Sequence, residues 1–179
     1  GLKAYDTRGH VRFKDTLASA HTALVADYVN TLMDHPHQNT KILTFQNKHV
    51  YTLNQHVQHH LKARGDLGEA LRLGSQTFYV GDQVMFTQNS SKDLRCLAPS
   101  LNDKTSHMDG MRNTAVKNGT LGRIEAYEDT TVKVRLQDGR LMGVRDTYQH
   151  ITLGYAMTVN KAEGETFDRV MGYADPHMS

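Results

Sequence analysis

Residues 154–170 read "GYAMTVNKAEGETFDRV", and they set a hydroxyl, an amide and an ammonium close together at Thr158, Asn160 and Lys161. All three groups donate hydrogen bonds to phosphate oxygens. Gly164 can take the positive φ that a sharp turn needs. The carboxylates of Glu163 and Glu165 flank it. Tyr155, Ala156, Met157 and Val159 are compact or apolar, as a buried helix requires, and "FDRVMGYA" reads as a buried strand. A polar joint between two buried elements is a place to meet a ligand; the plain alternative is a capped surface helix and an ordinary turn.

A second group is "LTFQN", where Thr44 and Asn47 fall at the carboxyl end of an expected strand. Open α/β sheets bind ligands at that edge, although Asn47 would serve equally as a helix N-cap. His56, His59 and His60 stand at i, i+3, i+4 on an expected helix, a spacing that can hold zinc. No cysteine or clear acidic partner completes such a site, so they read as a solvated polar face. No metal ligand and no catalytic residue is assigned.

The elements that must position these residues are mostly legible. "KDTLASAHTALVADYVNTLMDHP" repeats Leu17, Ala20, Leu24, Tyr28 and Leu32 at three- and four-residue steps, one face of a helix that Pro36 ends. "TKILTFQN" is a short apolar run suited to a strand buried on both faces. "KHVYTLNQHVQHHLKARGDLG" is a second helix, with Val50, Leu53, Val57 and Leu61 toward the core. "GHVRF" before them alternates like a short strand. After Gly68 the pattern changes to short strands separated by Gly81-Asp82, Asn118-Gly119, Glu128-Asp129 and Asp138-Gly139. The last is a strong hairpin signal. Residues 91–117, with five basic and three acidic side chains, read as a long irregular solvated loop. The expected organisation is therefore an α/β domain at 1–73 and 150–179, with a small β-barrel inserted at 74–149.

Composition narrows the field. The 179 residues carry 21 basic and 19 acidic side chains, a formal charge of +2, so bulk charge gives no general nucleic-acid coat. Any such contact must be a local groove. Cys96 is the single cysteine, which excludes an internal disulfide and a four-cysteine zinc site and fits a reducing cytoplasm. No apolar run of about 18 residues is present to span a membrane.

Three segments in order carry a resemblance: "KILTFQNKHVYTLN", "FYVGDQVMFTQN…AVKNGTLGRIEAYE" and "YQHITLGYAMTVNKAEGETFD". Together they resemble the C-terminal half of RecD-like superfamily 1 helicases, above all the helicase part of TraA/MobA-type conjugative relaxases. The resemblance implies an α/β RecA-like second motor domain with a parallel sheet, interrupted by an SH3-like β-barrel. It implies that Thr158, Asn160, Lys161, Thr44 and Asn47 lie beside single-stranded DNA, and that Gly164 and Glu165 approach nucleotide. The family usually has His where Asn160 stands and Gln where Glu163 stands; Glu163 adds negative charge near a phosphate path. ATP and magnesium are implied for a full-length protein, with preceding motor and relaxase domains as partners. No G-x-x-x-x-G-K-[ST] loop occurs, and the family's arginine finger would follow "ADPHMS". The chain is thus expected to be a cytoplasmic fragment that binds no cofactor and hydrolyses no ATP alone. The alternative is a stand-alone DNA- or protein-binding module.

Overall fold

The structure, a computed structural model, describes residues 13–101 and 113–174. The elements are α1 (Phe13–Asp34), β1 (Thr40–Thr44), α2 (Asn47–Ala63), β2 (Ala70–Leu73), β3 (Gln76–Tyr79), β4 (Gln83–Phe86), β5 (Leu94–Ala98), β6 (Leu121–Glu128), β7 (Thr131–Leu136), β8 (Leu141–Arg145), β9 (Ile151–Leu153), β10 (Ala156–Thr158) and β11 (Arg169–Tyr173). They form two compact units: one runs up to Arg64 and resumes at Tyr155, and the other is Gly65–Gly154.

The first unit is α/β. Its sheet has the order β10-β1-β11, and both pairings are parallel. Helix α1 packs on β1 and β11, α2 on β10 and β1, and the helices on each other. The periodic residues do what their spacing predicts: Ala20, Leu24, Tyr28 and Leu32 of α1 are buried, as are Leu53, Val57 and Leu61 of α2. Val50 is only half-buried. Burying each large apolar side chain here contributes about 1.5–3 kcal/mol. Tyr28 also satisfies its own hydroxyl by donating to the Thr40 carbonyl oxygen, at 2.7 Å.

The second unit is antiparallel. Hairpin β2-β3 stands beside a six-stranded sheet of order β5-β8-β7-β6-β4-β9. Along β7, Val132, Val134 and Leu136 are buried while Thr131, Lys133 and Arg135 are half-exposed, the period-two pattern of a sheet with one dry face.

Four sequence expectations change. Residues 155–158 form strand β10, not a helix, because so short an apolar run has no period to separate helix from strand. The six-stranded sheet ends at β5 and β9, which do not pair, so it is not a closed barrel. The boundaries expected at 73/74 and 149/150 fall inside the second unit, because β2 pairs with β3 and β9 with β4. Residues 91–117 are not loop throughout: Leu94 and Cys96 are buried and Arg95 exposed in strand β5, which pairs with β8. The rest of "GHVRF" before Phe13 lies outside the described residues, while Phe13 opens α1.

Candidate nucleic-acid interface

The parallel sheet decides where the functional candidates meet. In register, Thr44 stands opposite Thr158 on one side and Tyr173 on the other. The carboxyl ends of three strands therefore share one edge, although they lie far apart in sequence. The Val159 N–H extends the ladder by donating to the Thr44 carbonyl oxygen at 2.9 Å.

Beyond that edge, residues 159–165 fold into a compact turn. The Ala162 N–H donates to the Thr158 carbonyl oxygen at 3.1 Å, and the Glu165 N–H to that of Ala162 at 3.0 Å. Thr158 Oγ1 accepts the Lys161 N–H at 3.2 Å. The hydroxyl so pins the turn through its lone pair and keeps its own proton to donate. Gly164 has φ +84°, the left-handed conformation expected for it. Asn160, Glu163, Gly164 and Glu165 are exposed, and Thr158 and Lys161 half-buried. An open pocket of about 570 Å³ lies against the turn, walled by Leu43, Val170 and Phe167 and rimmed by Asn160, Glu163 and Glu165.

The structure separates the roles of Thr44 and Asn47. Thr44 is buried, and its Oγ1 accepts the Gln46 N–H at 3.4 Å. It lies beneath the strand end, with its hydroxyl oxygen engaged by the backbone. Asn47 is exposed. The N-cap of α2 is Gln46, in an extended conformation without a side-chain capping bond, so Asn47 is the first helical residue and its amide is not a cap.

Two positions that sequence reasoning left without a role hold the site together. Asn54, the last residue of "KHVYTLN", is buried. Its Oδ1 accepts the N–H groups of Tyr155 and Ala156 at 2.9 and 2.8 Å, and its Nδ2 donates to the Ala156 carbonyl oxygen at 3.0 Å. Asp168, the last residue of "GETFD", accepts the Asn39 N–H through Oδ2 at 2.6 Å and so ties the start of β11 to the start of β1. In both cases the residue stands among other polar residues in the sequence, and no local signal set it apart.

His56 and His59 are exposed and His60 is half-buried, as expected of a solvated face. His56 Nδ1 lies 2.9 Å from Nδ1 of His21 on α1, and the two rings meet edge-on at 4.6 Å. Tyr173 touches both His21 and His49. Burial, with His56 and His49 nearby, pushes the His21 imidazole down from 6.5 to about 4. Among the described residues no group of His, Cys, Asp or Glu is arranged to hold a metal ion.

No protein-family model matches the chain. Curated relatives do. A conjugal transfer protein TraA of Agrobacterium fabrum (strain C58) is 27% identical over 184 residues, covering 94% of this chain. A probable conjugal transfer protein TraA of Sinorhizobium fredii (strain NBRC 101917 / NGR234) is 26% identical over 173 residues, again covering 94%. The chain is homologous to TraA conjugal transfer proteins over most of its length. It spans 14% of the length of these TraA relatives. Among solved structures, Bacteroides Pif1 bound to ssDNA gives a TM-score of 0.45 at 19% identity, covering 74% of this chain and 34% of that one. Bacteroides Pif1 helicase in complex with ADP-AlF3 and ssDNA gives 0.48 at 17%, covering 88% and 39%. Among the described residues, no helix is long and apolar enough to cross a membrane.

Proposed function

We propose that the chain is part of the helicase region of a conjugative relaxase-helicase, and that the edge formed by β1, β10 and β11 is half of its single-stranded DNA cleft. In this reading the first unit is a RecA-like second motor domain, and the second is an SH3-like insert whose sheet stays open. The protein works in the cytoplasm, with motor and relaxase domains of the same polypeptide as partners. The observation that carries the reading is the register of Thr158 against Thr44, which gathers phosphate donors from two distant segments at one carboxyl-terminal sheet edge. Thr158, Asn160, Lys161 and Asn47 donate to backbone phosphates; Thr44 positions the turn.

The nucleotide fits this chain only in part. Glu165 lines the pocket beside Glu163, with Gly164 turning the chain between them, and carboxylates there accept from sugar hydroxyls but repel phosphates. The sequence has no G-x-x-x-x-G-K-[ST] loop to hold a triphosphate. ATP and magnesium belong to the longer protein, where they supply the energy of translocation, and this chain contributes a sugar-facing wall.

The test is anisotropy of a labelled single strand across a salt series. Binding should be weak and should fall as salt rises, with a slope of about 0.7 per phosphate contact. Lys161→Gln should lower the slope by about that amount, and Thr158→Val should weaken binding at every salt concentration. Tighter binding to duplex than to single strand, or variants that bind like wild type, would remove the proposal. Purified chain should show no ATP turnover above background.

A further inference from the structure

Four large apolar side chains are exposed among the described residues: Met33, Phe45, Tyr51 and Leu101. The two aromatic ones flank the junction between β1 and α2 along the chain. Phe45, 53% exposed, directly follows Thr44 at the end of β1. Tyr51, 66% exposed, lies in the first turns of α2. Its position on that helix is fixed by its neighbours. Asn47 is four residues before it and Asn54 three after, so all three share one side of the helix. Asn54 faces the Tyr155-Ala156 backbone. Tyr51 therefore stands on the β10 side of α2, one turn nearer the carboxyl edge of the sheet, where Thr158 ends β10.

Nothing in the fold calls for aromatic side chains at these two places. Leaving a Phe in water forgoes most of the stabilisation its burial would give. The surroundings are polar: Gln46, Asn47, Lys48 and Thr52 along the chain, and Asn160 and Lys161 beyond the edge. A protein partner is matched by a contiguous apolar patch. Separated rings amid hydrogen-bond donors match a ligand that alternates flat apolar faces with anionic links, which is single-stranded nucleic acid. A duplex keeps its base faces stacked inside and does not offer them.

We infer that Phe45 and Tyr51 are base-stacking platforms that hold the unpaired bases of a strand whose phosphates meet Thr158, Asn160 and Lys161. The inference rests on the cleft described above and adds how the bases, as distinct from the backbone, are held. Stacking uses a face that every base has, so recognition is tolerant of sequence but requires that bases be present.

The experiment compares a labelled oligothymidylate with an abasic strand of equal length and charge, titrated with the full chain. Wild type should bind the thymidylate tighter. Phe45→Ala and Tyr51→Ala should each weaken thymidylate binding by about 5- to 100-fold and leave abasic binding unchanged. Phe45→Trp should retain the preference, and Lys161→Gln should weaken both strands alike. Both rings are exposed, so the melting temperatures of the variants should stay near wild type and exclude misfolding. Equal wild-type affinity for the two strands, or an equal loss on both in the alanine variants, overturns the stacking role while the phosphate cleft stands. Binding to neither strand refutes the cleft itself, and the stacking role with it.

Discussion

Replacing Asn54 tests the whole arrangement, because one side chain replaces a missing strand. β10 is an edge of the sheet β10-β1-β11. Its inner side pairs with β1, and the outward N–H and carbonyl of Ala156, with the Tyr155 N–H, meet the Asn54 amide instead of a neighbouring strand. Two N–H donors face one end of that amide and a carbonyl faces the other, so its orientation follows from its partners. Asn54→Leu keeps the branched shape, with somewhat more bulk, and removes all three hydrogen bonds. Each buried group left unpaired costs about 1–3 kcal/mol. Allowing for relaxation, the loss is expected at about 3–5 kcal/mol, a large part of the ~5–15 kcal/mol that holds an ordinary domain. Urea titration followed by circular dichroism reads it directly.

A companion variant separates hydrogen bonding from packing. Asn54→Asp keeps both acceptor contacts at neutral pH but sets a carboxylate oxygen against the Ala156 carbonyl and buries a charge. Its deficit relative to wild type should narrow from pH 7 to pH 5, since the protonated acid can donate where the amide did. A cost below about 1 kcal/mol for Asn54→Leu, or a deficit of Asn54→Asp that stays flat with pH, would refute the view that this amide secures β10 and the turn beyond it.

Two further outcomes are expected. Gly164 has φ +84° and open space around an added Cβ, so Gly164→Ala should cost only the left-handed backbone penalty of about 1–2 kcal/mol; Gly154→Ala puts a Cβ 2.8 Å from the Val84 carbonyl carbon and should cost more, and the reverse order in urea titration would contradict both contacts. His21 is held at about 4 by burial, with His56 and His49 adding to it; its neutral form is favoured by folding, so this stability is present above pH 6.5 and is lost as pH falls toward 4. Melting temperature should drop across that window, by about 2–4 °C for each kcal/mol lost, and His21→Phe should flatten the drop.

What the sequence showed and hid follows from how local each signal is. Helices α1 and α2 were legible because an apolar face repeats over 22 and 17 residues, enough turns for the period to stand out. Strand β1 was legible as an apolar run closed by polar residues. Strand β10 was not, because three residues carry no period, and its identity comes from parallel pairing to a strand more than a hundred residues earlier. β5 was hidden by polar flanks. The same distinction runs through the site. Gly164 announced its turn because a positive φ is a local demand that few residues meet. Thr44 was legible as the carboxyl end of a strand, and only the fold shows it buried, with its hydroxyl oxygen accepting the Gln46 N–H. Asn54 looked like any polar helix residue, because the groups that need it lie 102 positions away. A residue whose partner is distant gives no sign of its work until the chain closes on itself. Thr158 at the end of β10, and Asn160 and Lys161 beyond it, stand where they do because α2, through that amide, fixes where β10 lies.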